Sequence, residues 1–218
     1  LLSFGFGTVI HVPDEYSTIQ EAIDAASEGD SVLVSAGTYH ENINFNGKNI
    51  SVIGEDRENT IIDGSRNGSV VTISSGESEL CLISSFTITN GLAPSQGGGF
   101  YIQGSQPVLH DLIINNNESE DEGGGLMFRS SHVSMSEIII EGNTTFGSGG
   151  GIHTTEGTVL NMNNVLISNN YALGIAGAGP DFAKGGGMLI RDMNYGFNEG
   201  QLFTLNNVQI ENNQSALG

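Results

Sequence analysis

Gly123-Gly124-Gly125-Leu126-Met127-Phe128-Arg129 is one of four stretches in which a glycine triplet runs straight into a short apolar strand. The other triplets are Gly97-Gly98-Gly99, Gly149-Gly150-Gly151 and Gly185-Gly186-Gly187. The first three start 26 residues apart and the fourth starts 36 residues on, so one repeat carries an insertion of about ten residues. A fixed period in the range of about 20–50 residues marks a solenoid, in which each repeat buries its apolar face only by stacking on a neighbour.

The strands after the triplets are Phe100–Gln103, Leu126–Arg129, Ile152–Thr155 and Met188–Arg191. Strand alternation predicts that Phe100, Leu126, Ile152 and Met188 point inward, with Ile102, Phe128, Thr154 and Ile190. Tyr101, Met127, His153 and Leu189 would then line the outer face beside Gln103, Arg129, Thr155 and Arg191. A second set of strands gives ladders Phe86/Leu112/Ile138/Val165/Val208 and Ile88/Ile114/Ile140/Ile167/Ile210. Each of these strands runs into two Asn or Gly residues, such as Asn116-Asn117 and Asn169-Asn170. Corners that need positive φ explain them, and stacked amides can hydrogen-bond from coil to coil. A coil of 26 residues fits three short strands and three corners.

Upstream, Thr18-Ile19-Gln20-Glu21 has the form of a capping box, and Ile19, Ala22, Ile23 and Ala26 form one helical face. One short amphipathic helix ahead of a strand solenoid is suited to covering the first coil, whose open edge would otherwise invite aggregation. The chain reads as a single domain, residues 1–218: strand and capping helix over 1–30, coils over 31–218. It stops at Ala216-Leu217-Gly218, directly after an Asn corner, and the expected reading is a fragment with further C-terminal coils or domains of the same chain.

Composition narrows the partners. Six Lys and Arg stand against 25 Asp and Glu, a formal charge of −19. Such a field repels nucleic acid, anionic lipid and acidic polymers, so an acidic glycan would need a local basic patch or a bridging metal. No apolar stretch is long enough to insert in a membrane. The single cysteine, Cys81, sits in Leu80-Cys81-Leu82-Ile83 and reads as a buried, inert thiol.

The opening Val9-Ile10-His11-Val12-Pro13, with Tyr16-Ser17-Thr18-Ile19-Gln20-Glu21-Ala22-Ile23, Gly29-Asp30, Gly37-Thr38-Tyr39 and Glu41-Asn42-Ile43, resembles a particular N-terminal cap and first coil. These belong to right-handed parallel β-helix proteins of the pectin-lyase-like superfamily. The Asn corners and Gly triplets are similar to those of large secreted bacterial surface proteins, including polymorphic outer-membrane passenger domains. The resemblance implies an all-β, right-handed parallel β-helix with three strands per coil and an N-terminal capping helix. It also implies a secreted or cell-surface location in a bacterium. The superfamily holds pectate lyases, polygalacturonases, pectin methylesterases and noncatalytic adhesins, so the resemblance speaks more to fold than to activity. The Asn-x-Asp, Asp-Asp, His-Gly and Arg-x-Lys set of polygalacturonases is absent, and the two Asp and one Arg of pectin methylesterases find no match.

Two insertions draw the candidate ligand site. The segments Tyr171–Lys184 and Asp192–Gly200 would wall the outer face of the strand Met188–Arg191. They bring Asp181, Phe182, Lys184, Asp192, Tyr195 and Phe197 toward Arg191, with Arg129 and His153 on neighbouring strips. Aromatic rings and mixed charge on a rigid scaffold suit sugar stacking and hydroxyl recognition. Glu118, Glu120, Asp121 and Glu122 crowd one corner, where hard oxygen ligands could hold Ca²⁺; otherwise no cofactor is expected. Taken together, these features lead to the expectation of a noncatalytic stalk or adhesin that binds a polysaccharide or cell-surface glycan. The alternative is a lyase or hydrolase acting on acidic polysaccharide.

Overall fold

The structure is a computed structural model of the 218-residue chain, and it describes residues 7–155, 157–174, 184–191 and 203–216. Within these, every strand pairing is parallel, and the strands form sheets of ten, six and five. Successive coils stack in register, which is the solenoid expected from the period. The six-stranded sheet contains Ile43–Asn44, Val71–Ile73, Phe100–Gln103, Leu126–Arg129, Ile152–Thr155 and Met188–Ile190.

The core is the set of apolar ladders read from the alternation. Phe86, Leu112, Ile138 and Val165 face one another in register, as do Ile88, Ile114, Ile140 and Ile167, and all eight are buried. Phe100, Leu126 and Ile152 close the opposite side with Ile102, Phe128 and Thr154. Ile210, on the last described coil, is 52% exposed although it holds a ladder position.

The long strands are bent. Val108–Asn115 and His132–Glu141 each pass through one residue with positive φ, Asp111 at 52° and Glu137 at 58°. Ser85, Asn164 and Asn207 do the same in their coils. These residues form a column that the repeat alignment did not separate from the strand.

The Gly triplet is explained by crowding. Gly123 has φ of 65°, and a β-carbon on Gly124 would overlap the carbonyl oxygens of Thr144 and Gly150 on the next coil. The Asn corner divides its work between two residues. Asn90, Asn116, Asn169 and Asn212 take left-handed φ. Asn117, Asn143 and Asn170 turn inward and stack as buried amides.

The helix Ile19–Ala25 packs on the first strands Val9–Val12 and Ser31–Val34, burying Ile19, Ala22 and Ile23. Thr18 Oγ1 accepts from Glu21 N, one half of the expected capping box; the Glu21 carboxylate turns instead to Ser17. The next coil secures both helix ends. The Glu41 carboxylate accepts from the N–H groups of Ile19 and Gln20 at 2.9 and 3.0 Å. Lys48 Nζ donates to the carbonyls of Ile23, Asp24 and Ala26 within 2.8 Å. A carboxylate at the positive end and an ammonium at the negative end also complement the helix dipole. Cys81 is buried, and that burial raises its thiol pKa far above the usual range.

Candidate functional site

The outer face of the six-stranded sheet is where chemistry-bearing side chains converge. The Gly triplets bring the chain into these strands, so the residue just before each triplet stacks on its counterpart: Gln96, Glu122 and Ser148 are bridged coil to coil. Beside this column stand Tyr101, Met127 and His153, in register, and then Gln103, Arg129 and Thr155.

Glu122 is the centre. Its Oε2 accepts from Gln96 Nε2 at 2.8 Å, and its Oε1 lies 3.5 Å from Arg191 Nη1. The same Oε1 is 3.7 Å from His153 Nε2. Arg191 reaches Glu122 from two coils away, across the coil that carries His153. The imidazole is thereby roofed, with no accessible surface, while Glu122 keeps 20% of its side chain exposed and Arg191 45%.

The tautomer of His153 follows from its neighbours. Nδ1 lies 3.1 Å from the Ser148 carbonyl oxygen, which can only accept, so Nδ1 carries the proton. Nε2 then presents a lone pair toward a carboxylate, and among the described residues it has no hydrogen-bond partner. Although 3.7 Å admits an ion pair, burial dominates and holds the imidazole pKa below its ordinary value. Glu122 opposes this and Arg191 and Arg129 add to it. A neutral imidazole nitrogen behind a solvent-facing carboxylate is an acceptor for any proton that the carboxylate takes up. Thr155 Oγ1, two residues along on the same face, is the second buried polar atom without a partner among the described residues.

A shallow groove of about 260 Å³ continues from Glu122 over the preceding coil, lined by Ser69, Ala93, Pro94, Ser95, Gln96 and Tyr101. Tyr101 Oη donates to Gln103, which holds the ring against the groove. A comparable hollow beside His11, Leu33, Ile53 and Glu55, on the ten-stranded sheet, gathers no such convergent polar set.

Several sequence expectations are redrawn by this geometry. Arg129, His153 and Arg191 do come together, but His153 and Met127 are buried rather than lining an open face. Glu122 joins them, whereas the expected acidic corner does not converge: Glu118 pairs with Arg66 at 3.0 Å and Asp121 accepts from Ser95 at 3.1 Å. Glu120 and Glu122 do not complete a cluster with them, and among the described residues no group of three or more His, Cys, Asp or Glu is placed to hold a metal ion. Only Glu118 lies on the two-residue strand Glu118–Ser119, and Glu118, Asp121 and Glu122 are each drawn to a different partner, Arg66, Ser95 and Gln96. Lys184 sits directly before its triplet, and its N–H approaches Ser148 Oγ at 3.4 Å. Asp181, Phe182, Asp192, Tyr195 and Phe197, with most of both insertions, lie outside the described residues. Gln96 and Thr155 were not singled out in the sequence. Aligning the residue before each triplet, Gln96/Glu122/Ser148/Lys184, is the signal that finds the first.

No family model matches the chain, and no curated protein matches it. Solved structures do. Pectin methylesterase PemA from Erwinia chrysanthemi aligns with a TM-score of 0.56 at 15% identity, covering 87% of this chain and 67% of its own. A pectin methylesterase in complex with a hexasaccharide aligns with a TM-score of 0.57 at 14% identity, covering 88% and 67%. The expectation of a noncatalytic stalk or adhesin is corrected by these neighbours, since the structures that share the fold over most of the chain are enzymes. Among the described residues no helix is long and apolar enough to cross a membrane. With its parallel coils, the helix over its first coil and the match to these structures, the chain has a right-handed parallel β-helix fold.

Proposed function

We propose that the chain is an enzyme of acidic polysaccharide that hydrolyses a carboxylic ester on a pectin-type substrate, with Glu122 as the general base. The observation that carries this reading is the setting of Glu122: an exposed carboxylate edge, an amide and a guanidinium on its two oxygens, and an unpartnered imidazole nitrogen behind it. In the proposed step a water attacks the ester carbonyl and gives its proton to Glu122, with His153 Nε2 as the onward acceptor. The Gln96 amide and the Arg191 guanidinium are the donors at hand for the oxyanion that develops. Collapse expels the alkoxide, which recovers the proton and leaves as an alcohol, and the carboxylic acid left on the polymer gives the water's second proton to solvent to become a free carboxylate. The alternative of glycosidic hydrolysis calls for two carboxylates facing one bond, about 5–9.5 Å apart. Two of the three acids that precede Glu122 in its corner, Glu118 and Asp121, are turned to Arg66 and Ser95. The names of the solved neighbours point to the same substrate class.

The test is to incubate the chain with methyl-esterified pectin and follow three products together: methanol, reducing ends and unsaturated uronate. Methanol release that falls about a hundredfold or more in Glu122→Gln supports the proposal. Unsaturated uronate without methanol would make the enzyme a lyase, and turnover that survives Glu122→Gln would move the site.

A further inference from the structure

The ten-stranded sheet turns two kinds of outer surface to solvent on the same strands. Ahead of the bend, the strand His132–Glu141 places Ser134 and Ser136 outward, and Val159–Ser168 places Asn161 and Asn163 outward. Beyond the bend the outward positions are Ile113, Ile139 and Leu166, register partners on three successive coils. Their sequence neighbours belong to the buried ladders, whereas these three side chains stay partly exposed. A sheet face that meets only water takes polar residues at such positions, as the first halves of these two strands do. The three form an apolar row at roughly 4.8 Å per coil. On the coil before, Thr87 holds the same position and is covered by the loop of Arg57, whose carbonyl oxygen accepts from Thr87 Oγ1 at 2.7 Å.

Carboxylates edge the row. Along one strand Glu137 is exposed, Ile138 buried, Ile139 partly exposed, Ile140 buried and Glu141 partly exposed, so an acid stands on each side of Ile139. Glu137 Oε1 accepts from Asn164 Nδ2 at 2.6 Å, and Asn164 Oδ1 accepts from Asn207 Nδ2 at 2.7 Å. This chain of amides fixes the Glu137 carboxylate beside the row. Neither Glu137 nor Glu141 has a cationic partner for its side chain among the described residues. Arg57, the base that reaches this side, is taken by Glu58 and Asp111 at 3.1 and 3.2 Å.

An apolar row between acidic edges is the complement of an amphipathic helix with basic flanks. The spacing agrees as well. A helix laid along the solenoid axis repeats its apolar face about every 5.4 Å, against roughly 4.8 Å per coil, so the two drift by only about 1 Å over the row. We propose that the outer face built on Ile113, Ile139 and Leu166 docks a cationic amphipathic helix of a partner protein. The apolar stripe of that helix lies on the row, and its Lys or Arg side chains reach Glu137 and Glu141. A second copy of the chain is a poor occupant, because it would set these two acids against their counterparts in a molecule of charge −19. The face lies on a different sheet from Glu122, and the inference stands apart from the esterase reading.

The test is fluorescence anisotropy of a labelled synthetic peptide of about 18 residues, with Leu at i, i+3, i+4 and i+7 and Lys elsewhere, titrated with the full chain. A scrambled peptide of the same composition controls for the net charge. At about 0.15 M salt the patterned peptide is expected to bind about tenfold more tightly than the scrambled one. Ile139→Asn weakens it several-fold, as does Glu137→Gln combined with Glu141→Gln. Asp14→Asn combined with Glu79→Gln, an equal loss of charge at exposed positions elsewhere, leaves binding unchanged. Equal binding of the two peptides, or an equal loss in the two double variants, overturns the proposal. So does a dimer in sedimentation velocity that Ile139→Asn dissociates, since the occupant is then a second copy. The two glutamates lie on the surface, so their double variant decides the matter should Ile139→Asn lower the melting temperature.

Discussion

Two of the buried polar columns in the described coils are built on opposite terms. In the Asn corner every amide is spoken for. Asn143 Nδ2 donates to the Ile114 carbonyl and to Asn170 Oδ1, and Asn143 Oδ1 accepts from both the backbone and the side chain of Asn117. On the strand Ile152–Thr155, His153 Nε2 and Thr155 Oγ1 are as deeply buried and have no hydrogen-bond partner among the described residues. The corner is a device for stacking coils. The strand carries an unmet demand for hydrogen bonds, and unmet demand inside a protein points to something that binds or reacts there.

The largest test of this contrast is in the corner. Asn143→Leu fills the space but strands the Ile114 carbonyl and the Asn117 N–H groups within the core. Each buried group left without a partner costs about 1–3 kcal/mol, so a loss of about 3–5 kcal/mol is expected. For a chain of this size that lowers Tm by roughly 10 °C in a thermal melt. A near-normal melt would show that water fills the gap and that the amide ladder is not what ties the coils together.

A smaller effect belongs to His153, and its sign depends on pH. Burial holds the imidazole pKa in the folded chain below the unfolded value of 6.5, so the unfolded chain binds the proton more readily. The neutral imidazole is tolerated above that pH, and stability is lost as the pH falls through 6.5 toward the depressed folded value. His153→Gln removes that loss. The difference in Tm between wild type and variant should therefore shift in favour of the variant on acidification from about pH 8 to about pH 5, the span in which histidine titrates. Parallel curves would mean that the Glu122 carboxylate offsets the burial and that the imidazole takes up its proton as readily in the folded chain as in the unfolded one.

How much of this was visible in the residue string depends on whether a feature repeats. The inward ladders, the left-handed corner residues and the crowded glycines recur from coil to coil from about Phe86 onward, so the period exposes them. The helix Ile19–Ala25 was legible because its apolar face and its cap are local in sequence. The site has neither property. Glu122 and Arg191 meet across 69 residues of sequence, and Glu122 was read with its acidic neighbours as a metal corner. Only the register places it beside Gln96, diagonal to His153. Arg129, His153 and Arg191 stood out because bases are scarce. Thr155 is a threonine in a strand until its hydroxyl is seen to lack a partner, which no sequence pattern encodes.

Thr155→Val is the smallest expected change in stability, and it divides the two columns most cleanly. Valine keeps the branched shape that suits a strand and removes a hydroxyl that makes no hydrogen bond in the unliganded chain. The buried oxygen contributes only a desolvation penalty there, so the substitution should be neutral or stabilising by up to about 1 kcal/mol. Asn143→Leu, which also exchanges a buried polar group for an apolar one, has the opposite sign. Melting curves of the two variants side by side read the comparison directly. If Thr155→Val destabilises the chain as a lost hydrogen bond would, the hydroxyl has an internal partner such as a bound water, and the strand is built on the same terms as the corner. If it leaves Tm unchanged or raised, the hydroxyl makes no internal bond and is held at a standing cost to stability of the kind that binding sites carry.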